Sequence, residues 1–428
     1  MSERSNEHNS FDFIPIVRHV LKWTLLSTPV AIVVGALVAL FLWLLDVVTT
    51  LRWQTPWIIW LLPIAGAGIY FLYERWGKRS RAGNDLIVDE IHEPGGGVPV
   101  GMAPLVILTT VVTHLFGGSA GREGTAVQVG GSMAGLFSRW FKLNAEDTRL
   151  LLTIGIAAGF GAVFGTPVAG AVFAIEVLAV GRIRYEALIP CLVASVFANM
   201  VCTLYGIDHV HYTALMITQS TGVLDFVMLA KAIGAGVLFG LASQLFVFLS
   251  HTIKRFGTGL FRHGWMLPIA GGVVVLLITA ALGTRDYLGL GVTTMDGEGI
   301  SIVNAFGSGH TPMLAWWWKL LLTAITLGAG FKGGEVTPLF FIGATLGNTI
   351  AVLSGSPLDL FAALGFIAVF AGATNTPLAC TFMGVELFGG EHALLFAVAC
   401  FTAFYFSGRT GIYSAQRHVI SKHGAPLP

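Results

Sequence analysis

Uncharged apolar runs long enough to cross a lipid bilayer recur along this chain, and they constrain its fold more than any other feature. From Trp23 to Leu45, and again from Trp53 to Tyr73, no Asp, Glu, Lys or Arg occurs. At 1.5 Å per residue a helix needs about 20 such residues to span the hydrocarbon layer. Further uncharged runs cover Leu150–Ile175, Ala232–Ser250, His263–Thr284, Val336–Leu358, Leu360–Val385 and Ala393–Gly408. Only 11% of the 428 residues are charged, against about 25% in a soluble domain. A water-facing surface cannot be built from so few charges. The expectation is a polytopic, all-α integral membrane protein in contact with lipid, with no separate soluble domain.

A net charge of +1 provides no field that would attract nucleic acid. Cys191, Cys202, Cys380 and Cys400 lie in apolar stretches without a CxxC pair, and read as buried small hydrophobes. His209 and His211 flank Val210, but two imidazoles make an incomplete metal site, and Asp296–Gly299 lacks the spacing of a calcium loop. No metal and no cofactor is assigned. No nucleophile–base pair accompanies the glutamates, which argues against an enzyme.

The first 22 residues are polar and partly acidic, so no cleaved signal is expected, and residues 1–22 read as a cytoplasmic segment. Arg18 and Lys22 before the first run, and Gly77-Lys78-Arg79-Ser80-Arg81 after the second, fall on one side when two crossings separate them. By the positive-inside rule that side is the cytoplasm. A short cytoplasmic tail carrying Arg417 and Lys422 is expected over 416–428. Trp316, Trp317 and Trp318 before Lys319 read as an interfacial aromatic anchor.

Two of the runs are interrupted. Gly159, Gly161, Gly165 and Pro167 break one, and Gly372, Asn375 and Pro377 break another. Broken backbone inside lipid is tolerated only around a protected cavity. The breaks resemble each other: Gly165-Thr166-Pro167-Val168-Ala169 before Glu176 matches Asn375-Thr376-Pro377-Leu378-Ala379 before Glu386, 210 positions later. Gly121-Arg122-Glu123-Gly124-Thr125 likewise matches Gly333-Gly334-Glu335-Val336-Thr337, 212 positions later. These offsets indicate an internal duplication, with a transport domain over 23–415 in halves of roughly 23–215 and 223–415. Paired interrupted segments point to a transporter site near the midplane. Helix packing by small residues alone would not require a glutamate at both matched positions.

The glycines around Glu123 allow a turn that gathers backbone N–H groups at a helix start, where unpaired amides and the helix dipole hold an anion without a formal charge. An ionised Glu123 would compete with that anion, and a protonated one would leave. The alternative is a structural carboxylate paired with Arg122. Glu176 and Glu386 either line such paths or pair at helix ends with a basic group such as Arg182, and His114 reads as a packed histidine.

Gly121-Arg122-Glu123-Gly124, Gly334-Glu335-Val336-Thr337-Pro338 and Tyr413 in Ser407-Gly408-Arg409-Thr410-Gly411-Ile412-Tyr413 resemble, in order, the main signatures of the CLC family of anion channels and anion/proton exchangers. The resemblance covers most of the chain. It implies an inverted-repeat helical fold with many tilted and half-crossing helices, assembled as a homodimer with one pore per subunit. It further implies Glu123 as external gate and proton carrier, Tyr413 as a hydroxyl facing the anion, and N–H donors from the Glu335–Val336 backbone.

Departures from the chloride pattern carry more information. The serine signature is not recognisable. By spacing its counterpart is Gly83-Asn84-Asp85-Leu86-Ile87, with Asn84 in the serine's place. Thr125 stands where the family has proline, Glu335 and Thr337 replace apolar or small residues, and Val177 follows Glu176 where a second glutamate is usual. These changes are similar to those of the family's fluoride-selective branch. Fluoride is small and strongly hydrated, so stripping its water demands close donors. Asn84, Thr337, Tyr413 and a neutral Glu335 would supply them; the alternative for Glu335 is a carboxylate turned to the cytoplasmic vestibule. The expected function is export of fluoride in exchange for protons across the inner (cytoplasmic) membrane, with both termini cytoplasmic. A chloride or nitrate/proton exchanger and a passive anion channel are the alternatives.

Overall fold

The computed structural model describes residues 13–209, 226–307, 311–419 and 422. In chain order the α-helices are α1 (Phe13–Gln54), α2 (Leu62–Trp76), α3 (Asn84–His92), α4 (Met102–Leu115), α5 (Glu123–Trp140), α6 (Ala145–Phe164), α7 (Pro167–Glu176) and α8 (Leu188–Leu204). They continue as α9 (Phe226–Leu260), α10 (Met266–Leu282), α11 (Ile302–Ala305), α12 (Ala315–Gly328), α13 (Val336–Ser354), α14 (Leu358–Thr374), α15 (Pro377–Phe388) and α16 (Ala393–Phe406). Among the described residues, six helical stretches are long and apolar enough to cross a bilayer. Others, such as the 10-residue α7, reach only about half of its thickness. That mixture of full and partial crossings is the one expected.

Some bounds differ from the apolar runs. α1 begins inside the segment read as a polar leader and continues past Leu45 through Asp46 and Arg52, because backbone hydrogen bonding does not stop where side-chain charge begins. The run from Trp53 is split into a 3₁₀ turn, Pro56–Leu61, and α2. The all-α expectation gains one exception: β1 (Ala179–Val180) pairs in parallel with β2 (Arg417–His418), tying the start of the expected tail to the first half. His211 lies outside the described residues. Among the described residues no cluster of metal-ligating side chains occurs, and all four cysteines are buried thiols.

Both interruptions fall at Gly165-Thr166-Pro167 and Asn375-Thr376-Pro377 and for the same local reason, whereas Gly159, Gly161 and Gly372, also expected to break the runs, lie inside α6 and α14, where they pack against neighbouring elements. α6 ends on Gly165 at φ 74° and α14 on Asn375 at φ 60°, left-handed conformations that turn the last amide back onto the helix. Two residues later Pro167 and Pro377 occupy the first position of α7 and α15, where a missing N–H costs nothing.

The new helix starts are capped reciprocally between the halves. The Glu176 carboxylate accepts from the N–H groups of Leu378 (3.0 Å) and Ala379 (2.8 Å). Glu386 accepts from those of Val168 (2.9 Å) and Ala169 (2.7 Å). The matched glutamates thus end helices as expected, but their partners are opposing helix amides, not Arg182 or another cation.

Candidate functional site

The two glycine turns meet head-on. The Gly121 N–H donates to Gly334 O (2.6 Å) and the Gly334 N–H to Gly121 O (2.7 Å), so the starts of α5 and α13 face each other across a two-bond antiparallel bridge. Side chains are excluded there: a Cβ on Gly334 would stand 2.7 Å from the Gly124 nitrogen, and one on Gly121 2.6 Å from Glu123 Oε2. The bridge also consumes the Gly334 N–H. Gly334, expected to bind the anion, is instead a spacer, and the amide offered at this point is that of Thr337.

Glu123 is 1% exposed. Its Oε2 accepts from the N–H of Thr337 in the first turn of α13 (3.1 Å) and from the N–H of Arg122 (3.0 Å). Its Oε1 accepts from the Thr337 hydroxyl. Unpaired first-turn amides are the groups a helix offers to an anion, and the Glu123 carboxylate sits on them as an anion would. The Arg122 alternative is weaker: its Nε stands 3.9 Å from Glu123 Oε1 and makes no hydrogen bond. Val336 opens α13 with its side chain buried. Thr125 faces away, its hydroxyl paired with that of Thr110 at 2.7 Å.

Asn84, Glu335 and Tyr413 come together in the lining of one cavity of about 180 Å³, which Arg81, Lys254 and Lys332 also line. The left-handed Gly83 (φ 62°) turns the chain into α3, whose first residue is Asn84. The next residue, Asp85, accepts from the Ser414 hydroxyl and from the Ala415 N–H (3.1 Å), fixing the Tyr413 segment against α3. Below it, Gln416 Nε2 donates to Val177 O (2.9 Å) and Thr374 O (3.0 Å) at the helix breaks. Asn84 Oδ1 and Glu335 Oε2 are buried with no hydrogen-bond partner among the described residues. Both side chains approach Gly124 closely, since Asn84 Nδ2 and Glu335 Oε2 lie 3.1 and 3.6 Å from where its Cβ would be.

A second cavity of about 570 Å³ is lined by Arg122, Arg52, Arg285, Leu288 and residues 290–296. Arg122, next to Glu123, lines this cavity, and Glu335, next to the start of α13, lines the other.

The sequence reading missed two cations. Lys319, read as an interfacial residue behind three tryptophans, is fully buried, and Arg52 is 8% exposed. The signal was available: an ionisable side chain within a membrane helix is a functional candidate by default.

A helical membrane chain whose two related halves meet at a carboxylate seated on helix amides is an inverted-repeat transporter by construction. A family model described as "Voltage gated chloride channel" matches residues 65–408. The chain belongs to that family, the CLC proteins, whose members are anion channels and antiporters and not enzymes. It is 47% identical over 97% of its length, and 90% of the relative's, to a "Chloride/fluoride channel protein" of Pseudomonas syringae pv. tomato. It superposes with a TM-score of 0.87 and 34% identity on the crystal structure of a CLC-type fluoride/proton antiporter, covering 93% of this chain and 98% of that one. A slow cyanobacterial Cl⁻/H⁺ antiporter shares the fold at a TM-score of 0.76, with 20% identity over 92% of this chain and 96% of that one. The protein is accordingly a multi-pass integral membrane anion transporter.

Proposed function

We propose that the protein exports fluoride from the cytoplasm in exchange for protons, with Glu123 as gate and proton carrier. The observation that carries this reading is the Glu123 carboxylate in the position of an anion, on the N–H and hydroxyl of Thr337. Hydrogen bonds to an ionised acceptor are about twice as strong as neutral ones. Protonation from the outer cavity therefore loosens Glu123 from Thr337, and fluoride, a small and strong acceptor, takes the vacated donors. When fluoride leaves, the carboxylate gives up its proton inward and returns.

Asn84 Nδ2, the Tyr413 hydroxyl and a neutral Glu335 supply further donors on the inner side, and Val336 belongs to the helix start that forms the seat. Glu335 must be protonated while fluoride is near, because an ionised carboxylate there would repel it. Gly121, Arg122, Gly124 and Thr125 shape the turn and do not contact the ion.

We read the smaller cavity, which Arg81 of the basic Lys78–Arg81 loop lines, as the cytoplasmic one and the larger as the outer one; the positive-inside rule applied to that loop supports this orientation. Lys22 with Asp147 (2.7 Å) and Arg417 with Glu93 join α1 and the chain's last segment to the elements beside it. Both termini are then cytoplasmic, the membrane is the bacterial inner membrane, and the inward proton gradient drives fluoride out. The chain works as a homodimer with one passage per subunit.

The protein purified into liposomes should move fluoride much faster than chloride or nitrate, with a proportional pH change. Equal rates for the three anions would remove the selectivity. Fluoride flux without proton movement would favour a passive channel; the Pseudomonas relative is named a chloride/fluoride channel protein.

A further inference from the structure

We propose that Lys319 and Arg52 are the fixed positive charge of the anion passage, a positioning pair that holds Glu123 ionised on its seat and retains the anion that replaces it. The inference rests on the antiport reading above. Neither residue belongs to the signatures that identify the family in this chain, and neither touches the seat directly.

Lys319, in α12, donates from Nζ to the carbonyls of Tyr287 (3.0 Å) and Gly289 (2.7 Å), and stands 5.3 Å from the centre of the Phe341 ring. Arg52, near the end of α1, donates from Nη1 to His114 O (2.7 Å) and lines the outer cavity. Gly289 lies between them: its carbonyl receives Lys319, and a Cβ there would meet the Arg52 guanidinium. No carboxylate pairs with either cation among the described residues. Carbonyl dipoles solvate a buried cation but do not neutralise it, and burial without a counter-charge is costly. The negative charges of this region are Glu123 on its seat and Asp46, Asp286 and Asp296 in the cavity that Arg52 lines.

The connections are short. Tyr287 O, which receives Lys319, also accepts from the Ser119 hydroxyl (3.0 Å), two residues before Gly121. The Gly289 N–H donates to Gly118 O (3.2 Å). Phe341, under the ammonium, is one helical turn along α13 from Thr337, which grips Glu123. The charge thus backs both halves of the seat from the outer side.

The other charged or titratable groups around this region are Arg122 beside Glu123, His114 between Thr110 O and Ala120 O, and Asp46, Arg285, Asp286 and Asp296 in the outer cavity. Glu335, Asp85 and Tyr413 face it from the inner cavity. In an effective dielectric of about 20, a fixed charge a few helix diameters or less from a carboxylate changes its protonation equilibrium by a factor of several to roughly tenfold, up to about one pH unit.

The test compares the wild type, Lys319→Met, Lys319→Arg and Arg52→Gln in liposomes, recording fluoride flux and coupled proton flux against pH and fluoride concentration. Removing a positive charge makes Glu123 easier to protonate. In Lys319→Met the midpoint of the rate–pH profile should therefore move up by about one unit, while half-saturation by fluoride needs severalfold more ion. Lys319→Arg should restore the wild-type profile, and Arg52→Gln should shift it in the same direction as Lys319→Met. A folded Lys319→Met with unchanged midpoint and half-saturation overturns the proposal, as does the same shift in Lys319→Arg. Should Lys319→Met fail to fold, an unshifted Arg52→Gln overturns it instead. A wild type that carries no fluoride, or no protons, refutes the antiport reading before any variant is compared.

Discussion

At the scale of single residues, the question is what the anion seat is made of. Glu123 receives two backbone amides and one hydroxyl, and no lysine or arginine holds it at hydrogen-bonding distance. A site built this way holds charge with dipoles, and on the proposed antiport reading its occupant is exchanged by moving one proton. Glu123→Gln keeps the size and most of the hydrogen bonding but has nothing to protonate. Fluoride-driven pH change in liposomes should fall to background in this variant, and coupling at the wild-type ratio would remove Glu123 from its role. Much of the site was legible in the chain: the Gly-Arg-Glu-Gly turn, its partner at 333–337 and Tyr413 all converge. Gly334 was misjudged because motif spacing reports which residues are near one another, and not which of several adjacent amides is spent on a neighbouring strand. Lys319 was misjudged because its three tryptophan neighbours suggest a membrane surface, whereas burial depends on what α12 packs against.

Among elements, the breaks explain how a passage is kept open in a helical membrane protein. Each half stops a helix on a left-handed residue, restarts it on proline, and lends a glutamate to the restart in the other half. The pattern was readable as Gly/Asn-Thr-Pro followed by glutamate. The partner of each glutamate was not, since reciprocity between segments 210 residues apart is a property of the assembled halves. Glu176 is 7% exposed and makes two charge-assisted bonds. Glu176→Ala should cost about 2–4 kcal/mol, lowering the thermal midpoint of the detergent-solubilised protein by several degrees. Glu386, which is less buried, should cost less when replaced likewise. A midpoint unchanged in Glu176→Ala would show that α15 does not depend on its cap. Close helix approach follows the same duplication: Gly130 meets Gly155 between α5 and α6, and Gly343 meets Gly365 between α13 and α14.

For the whole molecule, the low charge content decided the class and the duplicated motifs decided the architecture, because lipid allows few ways to satisfy a backbone. What sequence could not set was depth: which helices cross fully, which reach halfway, and that α1 absorbs Arg52 into a buried position. The two-copy assembly is open to direct measurement. Native mass spectrometry from detergent should give twice the 45.5 kDa chain mass, and a single-chain mass at every protein concentration would refute the homodimer. One further consequence follows from the bridge between Gly121 and Gly334. While the chain is being synthesised, the first half enters the membrane with both polar groups of Gly121 unmatched and Glu123 without the threonine that grips it. A chain that ends before Gly334 cannot form that bridge, so the seat exists only once both halves have been made.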